Sequence, residues 1–482
     1  MKLYNTMSGQ VEQFQPQNPS EVKLYACGLT VYDFTHLGHL RKYTMDDVLI
    51  RTLEHQGYKV KFVQNITDVG HLTSDADTGE DKLEKGAKKY GKSVWDIASE
   101  FEEYFWRSMD AMGNLRPVVS CRATEHIEQQ IQMVKKLEES GYAYVIPDDG
   151  VYFDTSKFAD YGKLARLNLE GQQAGARVDV IEGKRQARDF ALWKFERPGE
   201  NRAMSWPSPW SERGFPGWHI ECSAMAMHYL GDRLDIHTGG IDHIPVHHTN
   251  EIAQAEASSG TKPFVSYWVH HNFLQIEGEK MSKSLGNFFT IDDVLERGFD
   301  PRALRLLFLS GHYRSEMNFT WNNLAGAQKS YQKLIKVVAK WQQSGLSDQG
   351  SKLSSHAEEL HQSFYDRLAD DLNTSESLAV LWQVVADNQL TEVEKLTLLM
   401  DFDQILQLQL ADAIQKSQDF SQQLDLDTLP ENIQTLLKKR QAARDNKNWS
   451  EADRLRELLN EAGYQVKDET KGQQLWKSNA SE

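Results

Sequence analysis

The chain has 482 residues, of which 40% are hydrophobic and 26% charged, the profile of a soluble globular protein of roughly two to four domains. No apolar run approaches the ~20 residues of a membrane span, and the start, MKLYNTMSGQVEQF, lacks an apolar signal region, so a cytoplasmic location is expected. Three cysteines argue against a disulfide framework, and a net charge of −16 excludes indiscriminate binding to nucleic acid while leaving room for a local basic surface.

In chain order, the apolar run VKLYAC (Val22–Cys27) predicts a strand. It leads into GLTVYDFTHLGHLRKY, a helical pattern through DDVLIRTLEHQG, and a second strand, YKVKFVQNI. Strand, turn, helix and strand make a parallel crossover unit, the building block of a doubly wound sheet. His36 and His39 flank Gly38 at the start of that helix. There they can donate N–H groups to phosphate oxygens while the glycine allows close approach; a plain helix-capping turn is an equal reading of the same four residues.

Asp75, Asp77 and Gly79 resemble a calcium loop only superficially, because the glycine falls one place early and Gly86 stands where the last ligand should be. An amphipathic helix is predicted from Lys92 to about Met112, and Cys121 after it reads as a buried bystander thiol. Residues 118–205 read as an inserted module with one helix (Glu125–Ser140) and short strands such as AYVI and GVYFDT.

The stretch PGWHIECSAMAMHYLGDRLDIHTGGIDHIPVHHTNEIAQ is the richest in chemistry. His247 and Glu251 stand four apart in a helical segment and project from one face. Thiol, imidazole and carboxylate are zinc ligand types, so Cys27, Cys222, His247 and Glu251 are the candidate ligands of one zinc, against the blander reading of two core cysteines. The run FVSYWVHHNFLQI predicts a further strand that ends in EGEKMSKSLGN. Lys280 and Lys283, in a glycine-flanked loop, suit a polyphosphate that gains charge in a transition state; a solvated basic loop is the alternative.

Beyond Thr290 the pattern is helical. Leu324, Ala327, Tyr331, Leu334, Ile335, Val338 and Trp341 mark one helix face within a bundle over 321–410, followed by a polar linker over 411–430. Residues 431–482 predict a small helical module. Lys438 to Arg456 holds seven basic residues against three acidic ones, with Trp449 and Trp476 available for base stacking; an ordinary charged helix surface fits equally well.

Together, CGLTVYDFTHLGH, PGWHIECSAM, DIHTGGIDHIPVHHTNEIAQ, GEKMSKSLGNFFT and LSGHYRSEMNF, in this order, resemble class I cysteinyl-tRNA synthetase, and the resemblance spans nearly the whole chain. It implies an α/β fold. A Rossmann-type parallel-sheet catalytic domain (1–117 and 206–320) is split by the connective insertion and followed by the helical bundle and a module contacting the tRNA anticodon. The resemblance carries the zinc ligands onto Cys27, Cys222, His247 and Glu251, and the phosphate-binding and catalytic positions onto His36, His39, Lys280 and Lys283, with Lys283 an ATP contact. Thr67, Trp218, His237 and Asp242 become the amino-acid pocket, while Gly239 and Gly240 are expected to let the backbone approach adenosine.

The implied reaction is ATP-dependent activation of L-cysteine and transfer to tRNA(Cys), with one zinc per chain, Mg²⁺ accompanying ATP, no membrane partner and a monomeric chain. The substrate thiolate is expected to complete the zinc shell, which would separate cysteine from serine without an editing site. Three rivals were weighed. A ligase joining activated cysteine to an acceptor such as an amino sugar needs no anticodon module. A non-catalytic RNA-binding relative fits poorly with intact His36, His39, Lys280 and Lys283. A zinc hydrolase lacks an H-E-x-x-H helix. Leu29 stands where the family has proline and Thr249 where it has glutamate, which places the pocket wall and the metal's surroundings in question.

Overall fold

The computed structural model describes all residues except 71–80, 167–181, 198, 282–285, 344–351, 414–428, 447, 470–471 and 478–482. The chain forms two compact units, Met1–Tyr331 with Lys352–Leu408, and Gln332–Ser351 with Gln409–Glu482.

At the centre of the first unit lies a five-stranded parallel sheet. Its spatial order is Val265–His271, Leu234–Gly240, Glu21–Thr30, Lys59–Thr67 and Val119–Arg122. The order reverses direction at Glu21–Thr30, so the crevice beyond the carboxyl ends of that strand and Leu234–Gly240 is where a doubly wound sheet binds ligands. Val119–Arg122, just past the boundary drawn at residue 117, closes one edge of this sheet.

The first crossover is the helix Leu37–His55, as the sequence predicts. The predicted helix after Lys92 spans Val94–Ala111, and a helix the sequence reading did not place, Lys82–Tyr90, precedes it. Its N-cap Asp81 also pairs with buried Arg202. The helix predicted over Glu125–Ser140 is Ile127–Glu139. AYVI and GVYFDT become the strands Ala143–Ile146 and Gly150–Phe153 of a four-stranded antiparallel sheet completed by Phe190–Phe195 and Gly214–Pro216.

The run FVSYWVHHNFLQI is two strands instead of one. Val265–His271 belongs to the central sheet, whereas Leu274–Ile276 joins Glu279–Lys280 and Met317–Phe319 in a separate three-stranded sheet. A buried cation marks the break. Arg41, 2% exposed, donates through its guanidinium to the carbonyls of Asn272 (2.9 Å) and Phe273 (3.0 Å), and also to those of His312 (3.0 Å) and Ser315 (2.8 Å). The Phe273 carbonyl also accepts from the Met317 amide at 3.2 Å, so the buried cation sits where the chain leaves the central sheet and enters the second one. The same guanidinium therefore ties the helix bearing His36 and His39 to the base of the lysine loop.

The helices Ser355–Ala369, Thr374–Ala386 and Glu392–Leu406 close the first unit. In the second unit the predicted helical hairpin is Glu431–Asp445 and Trp449–Glu461, packed on Leu429, Ile433, Leu437 and Leu459. An antiparallel pair, Tyr464–Glu469 with Gly472–Lys477, adds strands to a module expected to be helical throughout. Among the described residues no helix is long and apolar enough to cross a membrane.

Candidate active site and metal centre

Cys27 lies near the carboxyl end of the strand Glu21–Thr30, where the register with Lys59–Thr67 shifts between Ala26 and Leu29. Gly28 makes the shift feasible. A Cβ there would stand 1.5 Å from the Asn65 carbonyl oxygen, and the Gly28 amide donates to the Asn65 side chain at 2.8 Å. Cys222 sits in the second turn of the helix Trp218–Leu230, and His247 opens the helix His247–Ser259. The four-residue spacing does what was expected of it, bringing His247 Nε2 to 3.1 Å from Glu251 Oε1. Cys27 Sγ and Cys222 Sγ are 4.0 Å apart, and one ligand atom from each of Cys27, Cys222, His247 and Glu251 lies within 4.8 Å of the others, all four residues being buried.

The electrostatics of this set fit a divalent metal. Burial pushes the Cys27 thiol up, and the hydrogen bond with Cys27 together with burial pushes Cys222 well up. Burial alone would also raise Glu251, but His237 and His247 outweigh it and hold the carboxyl below its ordinary range. For His247, burial is overcome by Glu251 and Cys222, which push the imidazole up to about 10. Two thiols that stay protonated around an ionised carboxylate are the state a dication reverses, since a coordinated thiol gives up its proton. A second set shares two members with the first: Cys27, His237, His248 and Glu251 also present ligand atoms within 4.8 Å of one another.

A cavity of about 780 Å³ opens beside the centre. It is lined by Cys27, Cys222 and His247, by the predicted residues Thr67, Trp218, Gly240 and Asp242, and by His36, His39 and Lys280. His36 and His39 form a reciprocal cap on their helix: the His39 amide donates to His36 Nδ1 at 3.2 Å and the His36 amide to His39 Nδ1 at 3.4 Å. The rings stack with centroids 3.5 Å apart. Because each Nδ1 accepts, each Nε2 carries the ring hydrogen. Burial keeps both rings neutral, pulling His36 down to about 4 and His39 well below its usual value. The capping reading and the donor reading are therefore one arrangement.

Not every predicted residue faces the cavity. His237 is fully buried and points Nε2 at Glu251 Oε2, 3.0 Å away, and Glu251 is itself fully buried. The space a Cβ at Gly239 would need is filled by the rings of His248, at 2.5 Å, and His243, at 2.9 Å. Lys283 lies outside the described residues, as do Asp75, Asp77 and Gly79; the side chain of Trp476 is likewise not described. Leu29 is buried and lines the cavity, whereas the Thr249 hydroxyl donates to the Ile244 carbonyl at 2.8 Å and braces the helix that carries His247. Cys121 is buried, its thiol against the Gln64 carbonyl. The sequence reading missed Lys42, one turn beyond His39. It lines the cavity, donates to the Cys27 carbonyl at 2.9 Å and pairs with Asp46 at 2.8 Å. Its spacing of three from His39 on one helix was the available signal.

Residues 13–329 match the family model for the class I (C) tRNA synthetase catalytic domain. The fold is shared with methionyl-tRNA synthetase of Mycobacterium tuberculosis in complex with methionyl-adenylate (TM-score 0.58, 14% identity, 85% of this chain and 94% of that one). LeuRS of Agrobacterium radiobacter K84, solved in a ternary complex, is also similar (TM-score 0.59, 11% identity, 84% and 85%). Sheet order, cavity and motifs together are those of a class I aminoacyl-tRNA synthetase, an aminoacyl-tRNA ligase. Residues 426–476 match the cysteinyl-tRNA ligase anticodon binding domain. The chain is 46% identical over 477 residues to cysteine--tRNA ligase 1 of Burkholderia lata, covering 99% of this chain and 97% of that protein. It is 40% identical over 495 residues to cysteine--tRNA ligase of Treponema denticola, covering 99% of each. The chain belongs to the cysteine--tRNA ligase family.

Proposed function

We propose that the enzyme activates L-cysteine with ATP and transfers it to tRNA(Cys), a zinc ion held by Cys27, Cys222, His247 and Glu251 selecting the substrate. The observation that carries this reading is that Cys27, Cys222 and His247 stand on the wall of the cavity lined by His36, His39 and Lys280, with the fourth member of the set, Glu251, buried behind them. When bound, zinc supplies a borderline-soft Lewis acid that favours a thiolate over the harder, far less acidic hydroxyl of serine.

The cysteine carboxylate attacks the α-phosphorus of ATP, forming the acyl–phosphate bond as the bond to pyrophosphate breaks. His36 and His39 donate Nε2–H to phosphate oxygens without themselves needing to titrate, and Lys280 and Lys283 stabilise charge developing on the departing phosphates. Mg²⁺ accompanies ATP. Trp218, Asp242 and Thr67 orient the amino acid, and the backbone at Gly240 admits adenosine closely; Gly239 and His237, which lie behind the cavity wall, support it from there. The terminal ribose of tRNA then displaces AMP from the activated cysteine. The match of residues 426–476 favours a tRNA over an amino-sugar acceptor.

Pyrophosphate exchange with cysteine and with serine, followed by charging of tRNA, tests the reading. Lys283→Ala should slow exchange by about 100-fold or more with metal content intact. Unchanged exchange in that variant would remove the lysine loop from the reaction, and equal exchange with serine would remove the metal from selection.

A further inference from the structure

Glu251 serves two sets of neighbours, and the second is finished as carefully as the first. His248 Nε2 lies 3.3 Å from Cys27 Sγ, while its Nδ1 is 2.7 Å from His270 Nε2, and His270 in turn meets the Thr6 hydroxyl at 2.7 Å. His237 Nδ1 faces the Thr238 carbonyl at 3.3 Å and Nε2 faces Glu251 Oε2 at 3.0 Å; a metal at Nε2 would take the place of the hydrogen directed at Glu251 while Nδ1–H keeps the carbonyl. Both rings pack on Trp268, with centroids 4.7 Å and 4.8 Å away. Outer partners that hold the orientation of each imidazole, the Thr238 carbonyl for His237 and His270 for His248, are what metal ligands characteristically have.

The two sets differ in access. Cys27, Cys222 and His247 line the cavity; His237, His248 and Glu251 are fully buried behind it. We infer that the centre holds two overlapping metal positions sharing Cys27 and Glu251, an outer one completed by Cys222 and His247 and an inner one completed by His237 and His248. They are alternatives for one zinc, since each set supplies a complete four-ligand shell only by using both Cys27 and Glu251. Only the outer position is within reach of a substrate thiol. The outer set offers two sulfurs and one imidazole, the inner set one sulfur and two imidazoles, so nitrogen-preferring metals are drawn inward. The inference rests on the reading that the centre binds zinc.

The test is zinc content together with zinc-edge X-ray absorption on full-length chains purified without chelator. Wild type should hold stoichiometric zinc with two sulfur scatterers. Cys222→Ala should also hold stoichiometric zinc, with one sulfur and two imidazoles, and should lose cysteine-dependent exchange; adding His248→Ala should then empty it. His247→Ala, expected to show the same one-sulfur signature, is a second route should Cys222→Ala fold poorly. A Cys222→Ala chain that is folded by circular dichroism yet metal-free, beside zinc-loaded wild type, would overturn the inner position and leave the zinc reading standing. Metal-free wild type would overturn both.

Discussion

Arg305 and Asp47 form an ion pair in which the two side chains are 0% and 1% exposed. Arg305 also donates to the Leu406 carbonyl at 2.6 Å, the Met112 carbonyl at 3.2 Å and Asn114 Oδ1 at 2.7 Å, so one guanidinium holds a helix of the bundle, the end of Val94–Ala111 and the first crossover helix together. Asp47 would keep Arg51 at 3.0 Å and the Leu115 amide at 2.8 Å, so removing Arg305 chiefly leaves three buried acceptors, the Leu406 and Met112 carbonyls and Asn114 Oδ1, without their donor. Arg305→Met should cost about 3–5 kcal/mol in urea unfolding followed by tryptophan fluorescence. Adding Asp47→Leu should deepen that loss, because it also takes the carboxylate from Arg51 and the acceptor from the Leu115 amide. A loss below about 1 kcal/mol would place the pair among merely surface-like bridges.

The reciprocal cap at His36 separates two roles that a single alanine substitution would merge. His36→Ala removes the acceptor for the His39 amide as well as the Nε2–H donor, and should lose about 1 kcal/mol of stability in addition to activity. His36→Asn keeps a good cap acceptor but moves the donor. Its stability should stay within a few tenths of a kcal/mol of wild type while pyrophosphate exchange falls by about 100-fold. Thermal melts and exchange assays on both variants check this; parallel losses in the two would mean that His36 acts only as a cap.

How much of this could be read beforehand depends on whether the cause lies near the residue. Cys27, Cys222, His247 and Glu251 were legible because ligand chemistry is written in residue type, and the spacing of His247 and Glu251 fixes one face of a helix. His237 and His248 as rival ligands were not, because nothing local tells which way a buried imidazole turns. The break at Asn272 and Phe273 was equally hidden: the run is apolar on both sides, and Arg41, which donates to both carbonyls, stands 231 residues away from Asn272. The strand pair Tyr464–Glu469 and Gly472–Lys477 was missed because its alternation is short: Tyr464 and Val466, two apart, pack on the Leu429–Leu459 cluster before the chain turns charged. That Gly239 also makes room for His248 and His243 could not be read from its neighbours in sequence.

Asp68 gives a pH dependence independent of the metal centre. Burial raises its carboxyl to about 6, against the opposing hydrogen bonds from Thr124, whose amide donates at 2.9 Å, and with a small further push from Glu221. The fold therefore favours the neutral acid. For a carboxyl raised above its unfolded value of about 3.9, the contribution to stability is fully present below that value and is lost as pH rises through the folded value, here about 6. A difference of about two units corresponds to about 3 kcal/mol, since Asp68 is only 5% exposed and solvent screening is slight. Asp68→Asn cannot ionise and does not carry that cost at neutral pH. The difference in unfolding free energy between the variant and wild type should therefore move by about 2 kcal/mol in the variant's favour between pH 4 and pH 7, the rest being lost already below pH 4. Urea titrations at the two pH values measure it, and a difference that stays constant would show that Asp68 ionises in the folded chain as readily as in the unfolded one.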